Sequence, residues 1–202
     1  MKVAAEDVGL RHPIDDAVGR IIGLSLERAI AELFPDADPQ VHVAVLDAYR
    51  SEALRVRADP SDPESLFDGA HEAVRTLRDA GYLLGIATGK ARRGVDHFCT
   101  RYDMAGWFDT VQTPDTNPSK PHPGMIESAM AETGIPANRT VMVGDTVFDL
   151  EMAQNAGVFG IGVAWGNHPV YELERAGSHH IVEIIDDLPK AIANVLGQGA
   201  HT

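Results

Sequence analysis

The sequence is short of several features, and each shortage excludes a class of protein. Its single cysteine, Cys99, allows no disulfide within the chain and no metal site built from several cysteines. No apolar run reaches the roughly 18 residues that a membrane-spanning helix needs. The amino terminus MKVAAEDVGL has no apolar stretch of the kind found in signal peptides. The sequence therefore predicts a cytoplasmic protein.

Positive charge is also scarce. The 202 residues include 17 Lys+Arg and 30 Asp+Glu, which gives a net charge of -13. Such a surface repels polyanions, so we expect neither nucleic acid nor a membrane surface as a partner. A small anionic ligand is still compatible with this charge, provided that a cation or helix N-termini compensate it locally. A small phosphorylated metabolite is therefore the kind of partner to consider.

The amino-terminal third has a helical pattern throughout. Apolar residues recur at helical spacing from Ile14 to Leu33, and Phe34-Pro35 ends that predicted helix. A second helix is predicted over about 41–54 from the same spacing. The prolines and acidic residues of 59–69 then predict a connection between two structural units.

From residue 70 onward, short apolar runs alternate with helical patterns. The predicted strands lie at 82–87, near 109–112, at 140–144, at 158–164 and near 180–182. Alternation of this kind predicts an α/β fold in which a parallel sheet carries helices on both faces. Ligands of such sheets bind at the carboxyl ends of the strands, so the residues that follow the strands are the candidates for chemistry.

Three of these candidates suit a phosphoryl group. Thr88 and Gly89 follow strand 82–87, where a hydroxyl and a backbone amide at a helix start could bind phosphoryl oxygens. Lys120 lies among prolines that stiffen its loop, and its ammonium could stabilise charge in a transition state. The alternatives are that Thr88 only ends a strand and that Lys120 is an ordinary exposed lysine.

Two carboxylates follow strand 140–144. Asp145 leaves the strand end, and Asp149 lies four residues later on the same side of the next helix. Paired carboxylates at a strand end suit Mg²⁺, which takes one or two of them together with water and substrate oxygens. The alternative is helix capping, with Thr146 as the N-cap residue and Asp149 as its partner.

Taken in order, these segments resemble the haloacid dehalogenase superfamily, and phosphoglycolate phosphatases in particular. IATGK resembles the second motif of the family, SKPHPGM the third, and VMVGDTVFDLEMAQNAG the fourth. The resemblance implies a Rossmann-like core over 67–202 and a small all-helical cap over 1–66. It also implies a phosphatase that hydrolyses a phosphoglycolate-like monoester through an aspartyl-phosphate, with Mg²⁺ as cofactor.

The resemblance assigns roles to individual residues. Asp145 would be a Mg²⁺ ligand, and Asp149 would hold the metal or its waters. Thr88 and Gly89 would bind the phosphoryl group. Lys120 would orient the nucleophile and neutralise the charge that develops during transfer.

One motif of the family does not occur in the sequence. Asp-x-Asp-Gly-Thr, which carries the nucleophile, has no match, and residues 1–12 hold only Glu6 and Asp7 as acids. In the family this motif ends a central strand between the strands that match 82–87 and 140–144. Without it, two strands would face each other with unpaired backbone groups, at about 1–3 kcal/mol for each buried group. We therefore expect the chain to be truncated, with the motif encoded upstream of Met1.

Two other functions stay open. The chain could be a non-catalytic phosphate-binding or interaction protein that keeps Thr88, Lys120 and Asp145. It could instead be a phosphomutase, although the tail motif AWGNHP resembles phosphatases more. His122 and His168 are further candidates for contact with substrate. The oligomeric state is open, and a homodimer is compatible with the sequence.

Overall fold

A computed structural model describes residues 1–57 and 65–199 of the chain. The chain divides into two compact units, Met1–Ser65 and Leu66–Thr202. Within the two described ranges, no helix is both long and apolar enough to span a bilayer.

The first unit is helical. Its helices are α1 (Lys2–Asp7), α2 (Asp15–Arg20), α3 (Leu26–Leu33) and α4 (Pro39–Arg57). The core forms where α1 and α3 pack against α4, with Ala4, Ile30 and Val45 buried almost completely. Burial of an aliphatic side chain such as Ile30 stabilises a fold by about 1.5–3 kcal/mol.

The single helix predicted from Ile14 to Leu33 is wrong, because the chain turns between α2 and α3. Gly23 adopts a positive φ of 103°, and Ser25 caps α3 by accepting a hydrogen bond from the Arg28 N–H at 3.4 Å. Apolar residues in the turn continue the helical spacing, which is why periodicity alone misses the break. Helix α1 was not predicted, and part of the predicted connection over 59–69 lies outside the described residues.

The second unit alternates helices and strands. Its elements are α5 (Ala70–Asp79), β1 (Gly85–Ala87), α6 (Arg92–Arg101), β2 (Thr110–Gln112), α7 (Gly124–Thr133), β3 (Val141–Gly144), α8 (Val147–Asn155), β4 (Phe159–Val163), α9 (Val170–Arg175), β5 (His180–Val182) and α10 (Leu188–Gly199). Short 3-10 turns lie at Ala137–Arg139 and Ile185–Asp187. All of the pairings are parallel, so the predicted α/β fold with parallel strands is confirmed.

Helices cover both faces of the strands, and the side chains of β3 show how. Val141 and Val143 pack on one face with α5 and α10, around the buried Ile161 of β4. Met142 points to the opposite face and packs with α7 and α8 around Met152. This alternation has the period of two that a strand imposes on its side chains.

The strands form two sheets rather than one. β1 pairs with β2, and β3, β4 and β5 pair in that order. In the described part of the chain, β1 and β3 are not hydrogen-bonded to each other. The described strands therefore leave one edge of β1 and one edge of β3 unpaired, and these are the strands predicted over 82–87 and 140–144.

The N–H and C=O groups of successive residues in a strand point to opposite sides. Every second residue of β1 and of β3 therefore directs its backbone groups away from the paired strand, and we call these unpaired sides the open edges. In β1, the Thr88 N–H donates to the Gln112 carbonyl at 3.1 Å, so the backbone groups of Gly85 and Ala87 point away from β2. In β3, the Thr140 carbonyl accepts from the Phe159 N–H at 3.1 Å. The backbone groups one residue further on, at positions 141 and 143, therefore point away from β4.

An apolar cavity of about 460 Å³ lies between these two open edges. Both strands line it, together with α5, α7 and α10. Its lining includes Leu77, Ile86, Ala87, Ile126, Val141, Val143 and Ile192. The second unit thus has a groove with apolar walls and a row of backbone donors and acceptors along two strands.

Candidate active site

The residues predicted to carry chemistry all follow the carboxyl ends of strands. Thr88 follows β1, the loop over 113–123 follows β2, and Asp145 follows β3. Lys120 Nζ, in the loop after β2, lies 2.5 Å from Asp149 Oδ1 in α8, the helix after β3. The carboxyl ends of the two sheets therefore lie on the same side of the unit.

The contact between Lys120 and Asp149 is a buried ion pair. The two residues are only 5% and 3% exposed. The other oxygen of Asp149, Oδ2, accepts hydrogen bonds from the Thr146 N–H at 3.1 Å and the Thr146 hydroxyl at 2.7 Å. The capping box is thus confirmed, and the alternative of Lys120 as an exposed lysine is wrong. Asp149 takes one of the three N–H donors of the Lys120 ammonium, and within residues 1–57 and 65–199 the other two have no acceptor.

A glycine makes room for Asp149 at the end of β3. A Cβ on Gly144 would lie 2.1 Å from Asp149 Cβ and 2.7 Å from Oδ2. Any side chain at position 144 would therefore displace the carboxylate that binds Lys120 and caps α8. The clash with Asp149 explains why the GDTVFD segment begins with glycine.

Side chains outside the predicted site hold the Lys120 loop. Asn117 Nδ2 donates to Gln112 Oε1 at 2.9 Å, and the Ser128 hydroxyl donates to Asn117 Oδ1 at 2.8 Å. At the other end of the loop, Asn155 Nδ2 donates to the Pro121 carbonyl at 2.9 Å. The prolines of this loop predict its stiffness, and these hydrogen bonds add to it. The role of Asn155 could not be predicted, because its partner Pro121 lies 34 residues away; the bonds of Asn117 are more local, but its residue type alone does not indicate them.

Thr88 and Gly89 are half-buried at the end of β1. The Thr88 hydroxyl oxygen accepts from the Lys90 N–H at 3.1 Å, which leaves the hydroxyl proton for an acceptor. Asp115 accepts from the Arg92 N–H at 2.6 Å and so caps the first turn of α6. The candidate anion contacts here are therefore the Thr88 hydroxyl and the Gly89 amide, since the α6 terminus has its own carboxylate.

One of the two carboxylate oxygens of Asp145 accepts hydrogen bonds from the protein. Its Oδ2 accepts from the Asn167 N–H at 2.9 Å and from Asn167 Nδ2 at 2.5 Å. Within residues 1–57 and 65–199, Oδ1 accepts no hydrogen bond, and no group of three or more His, Cys, Asp or Glu could share a metal ion. A single carboxylate with water and substrate oxygens is a usual Mg²⁺ environment, so Asp145 fits that ion.

The two candidate histidines differ in their surroundings. His122 is exposed, and its Nδ1 accepts from the Gly124 N–H at 3.1 Å. His168 is buried, and its Nδ1 accepts from the Val147 N–H at 3.2 Å. The proton of neutral His168 therefore lies on Nε2, which has no hydrogen-bond partner among the described residues.

The sequence contains one Asp-x-Asp, formed by Asp36 and Asp38, but without the Gly-Thr of the family motif. Both acids are exposed in the turn between α3 and α4. No strand precedes them in the described part of the first unit. They do not reproduce the strand-end setting that the family motif requires.

Comparison with known proteins gives the family. Residues 1–163 match the family described as haloacid dehalogenase-like hydrolase. The chain is 35% identical over 185 residues to the probable phosphatase IndB of Dickeya dadantii, an alignment that covers 89% of this chain and 79% of that protein. It is 30% identical over 188 residues to a phosphoglycolate phosphatase of Caulobacter vibrioides, covering 91% and 78% respectively.

Structural comparison agrees at the level of the fold. A hydrolase from Pseudomonas syringae superposes with a TM-score of 0.83 at 21% identity, covering 96% of this chain and 88% of that one. Fold and sequence therefore define a hydrolase with parallel strands and phosphatase relatives, as predicted. The chain belongs to the haloacid dehalogenase-like hydrolase family.

Proposed function

We propose that this chain supplies the phosphate-binding and Mg²⁺-binding residues of a phosphatase for a small phosphate monoester, whose nucleophile is not among its 202 residues. The observation that carries the proposal is the buried contact between Lys120 and Asp149, four residues after Asp145 at the carboxyl end of β3. It fixes a buried ammonium group at the carboxyl end of the strands. The phosphatase names of IndB and the Caulobacter protein support the same reaction class.

Each site residue has a part in this proposal. The Thr88 hydroxyl and the Gly89 amide bind phosphoryl oxygens, and Lys120 compensates the charge of the transferring group. Asp149 holds Lys120 in position through their ion pair. Asp145 Oδ1 is the ligand for Mg²⁺, which would offset the negative charge of the phosphate when bound.

The nucleophile of the proposed reaction is an aspartate at the end of a strand in the groove between β1 and β3. A parallel strand there would pair with the backbone groups of Gly85, Ala87, Val141 and Val143. Its aspartate oxygen would bond to phosphorus as the alcohol oxygen leaves and takes up a proton. Water would then attack phosphorus, break the aspartyl–phosphate bond and release inorganic phosphate.

The two units have separate roles in the proposal. Residues 67–202 form the core that carries the site, and residues 1–66 form a helical cap that selects the substrate and excludes water during the reaction. Phosphoglycolate is the first substrate to test, because the Caulobacter relative is named for it. A panel of other phosphate monoesters would show whether this substrate is preferred.

The experiment compares three proteins in p-nitrophenyl phosphate hydrolysis with Mg²⁺. One is the 202-residue chain, the second carries an added amino-terminal apolar strand ending in Asp-x-Asp-Gly-Thr, and the third has Asn in place of the first Asp of that addition. We expect turnover only from the second protein, and loss of turnover on Asp145→Ala. Asp145-dependent turnover by the unextended chain would contradict a nucleophile in the groove.

Phosphate binding and phosphoryl transfer to a sugar phosphate, measured on the same three proteins, test the alternative functions. Phosphate binding without turnover in all three proteins would favour a non-catalytic phosphate-binding protein over an enzyme. Transfer of the phosphoryl group to a sugar phosphate, in place of its release as inorganic phosphate, would favour a phosphomutase.

A further inference from the structure

The turn after β4 holds Asp145 at several points. Asn167 donates two hydrogen bonds to Asp145 Oδ2, from its N–H at 2.9 Å and from Nδ2 at 2.5 Å. The His168 N–H donates to the Asp145 carbonyl at 3.1 Å, and His168 Nδ1 accepts from the Val147 N–H at 3.2 Å. Both the side chain and the adjoining backbone of Asp145 are therefore fixed by consecutive residues.

Gly166 lies directly against the side chain of Asp145. A Cβ at position 166 would lie 2.1 Å from Asp145 Cβ and 2.5 Å from Oδ2. The backbone of the turn thus lies directly against the carboxylate. Residue 166 must be glycine for Asp145 to keep this position, because a larger residue would displace either the turn or the carboxylate.

We infer that Gly166, Asn167 and His168 form a positioning clamp that presents Asp145 Oδ1 to a divalent cation. The two donors of Asn167 occupy Oδ2, so Oδ1 is the oxygen that remains available. The inference rests on the proposed function for the identity of the cation as Mg²⁺. It extends that function to residues which touch neither phosphate nor metal in the proposed reaction.

The physical basis is pre-organisation of a metal ligand. A carboxylate that is already held in one rotamer loses less conformational entropy on binding an ion than a freely rotating one. Removal of groups that orient metal ligands commonly weakens metal binding by about 10–100-fold. Charge-assisted hydrogen bonds of the kind made by Asn167 are the stronger ones in proteins, so the effect is large enough to measure.

The test is titration of the 202-residue protein with Mn²⁺ as a paramagnetic probe for Mg²⁺, followed by electron paramagnetic resonance. We expect Asn167→Ala and Gly166→Ala each to weaken Mn²⁺ binding by about tenfold. Asn194→Ala, at an exposed position of α10, is the matched control and should bind like the parent protein. Equal Mn²⁺ affinity for Asn167→Ala and the parent would overturn the inference.

A second measurement separates positioning from stability and from the proposed function. Crystal structures of the parent and Asn167→Ala should show one Asp145 rotamer in the parent and more than one in the variant. An unchanged Asp145 rotamer in Asn167→Ala would overturn the clamp, whatever its effect on thermal melting. If the parent binds no Mn²⁺ at all, the metal role of Asp145 in the proposed function fails, whereas measurable binding by the parent with an unchanged affinity in Asn167→Ala overturns only the clamp.

Discussion

Asp149 serves two purposes at the residue scale. Its Oδ2 caps α8 through Thr146, and its Oδ1 neutralises the buried ammonium of Lys120. The sequence makes Asp145, Asp149 and Lys120 candidates, because each lies in a recognisable segment after a predicted strand. It could not predict that Lys120 and Asp149 pair, because they are 29 residues apart and only the tertiary fold brings them together.

The first prediction concerns the energetics of this pair. Lys120→Met and Asp149→Ala should each lower the free energy of unfolding by about 3–5 kcal/mol, since each leaves one buried charge without its partner. The double variant should lose less than the sum, because no charge is then stranded. Urea unfolding of the four proteins measures these values, and additive losses would show that the two side chains are energetically independent.

A second prediction concerns His168. Because the Val147 N–H donates to Nδ1, the neutral ring must carry its proton on Nε2. Long-range ¹H–¹⁵N correlation spectra of ¹⁵N-labelled protein should show this tautomer at neutral pH. A proton on Nδ1 would mean that the contact between the turn after β4 and the start of α8 is not formed in solution.

At the scale of elements, pairing decides how far each strand extends. The apolar run 82–87 predicts a longer strand than β1, which covers only Gly85–Ala87. Leu84 has its N–H bonded to the side chain of Asp109 at 2.8 Å, and Leu83 is exposed. An apolar run indicates that a segment tends to be buried. A strand also needs a hydrogen-bonded neighbour along its length, and β1 has such a neighbour, β2, on one side only among the described residues.

A third prediction follows from the open edges. Backbone amides of Gly85, Ala87, Val141 and Val143 should exchange with deuterium faster than amides of β4, which is paired on both sides. Adding the strand with Asp-x-Asp-Gly-Thr should slow their exchange. Native-state exchange followed by NMR provides the measurement. Equal protection of these amides in both proteins would argue against strand binding in the groove.

A fourth prediction concerns the contact between α7 and β2. The Thr110 hydroxyl donates to Glu132 Oε2 at 2.5 Å, and this bond, with a second from Gln112, lowers the pKa of Glu132 below its usual 4.5. A carboxyl group with a lowered folded-state pKa stabilises the protein above its unfolded pKa. That contribution is lost as the pH falls through the folded-state value.

Glu132→Gln should therefore reduce the dependence of unfolding free energy on pH below about 4.5. Urea unfolding over a pH series gives the slope for the parent and the variant. Because Glu132 is exposed, the difference should be modest and confined to that acidic range. Identical slopes would mean that the contact with Thr110 does not persist in solution.

At the scale of the whole molecule, the order of elements was predictable and their assembly only partly so. Local periodicity predicted every strand of the second unit, because strand and helix spacing are encoded within a few residues. The opening between β1 and β3 came from the resemblance, not from periodicity. The clamp of Gly166, Asn167 and His168 was not predicted, since nothing in a turn sequence indicates which distant carboxylate it will hold.

Mass spectrometry of acid-quenched reactions with a phosphate monoester and Mg²⁺ can detect the proposed aspartyl-phosphate itself. The protein with the added strand should carry a phosphoryl group on the first aspartate of that strand, and Asp145→Ala should abolish it. A phosphoryl group found instead on a residue of the 202-residue chain would contradict the account, as would steady turnover with no covalent phosphoprotein.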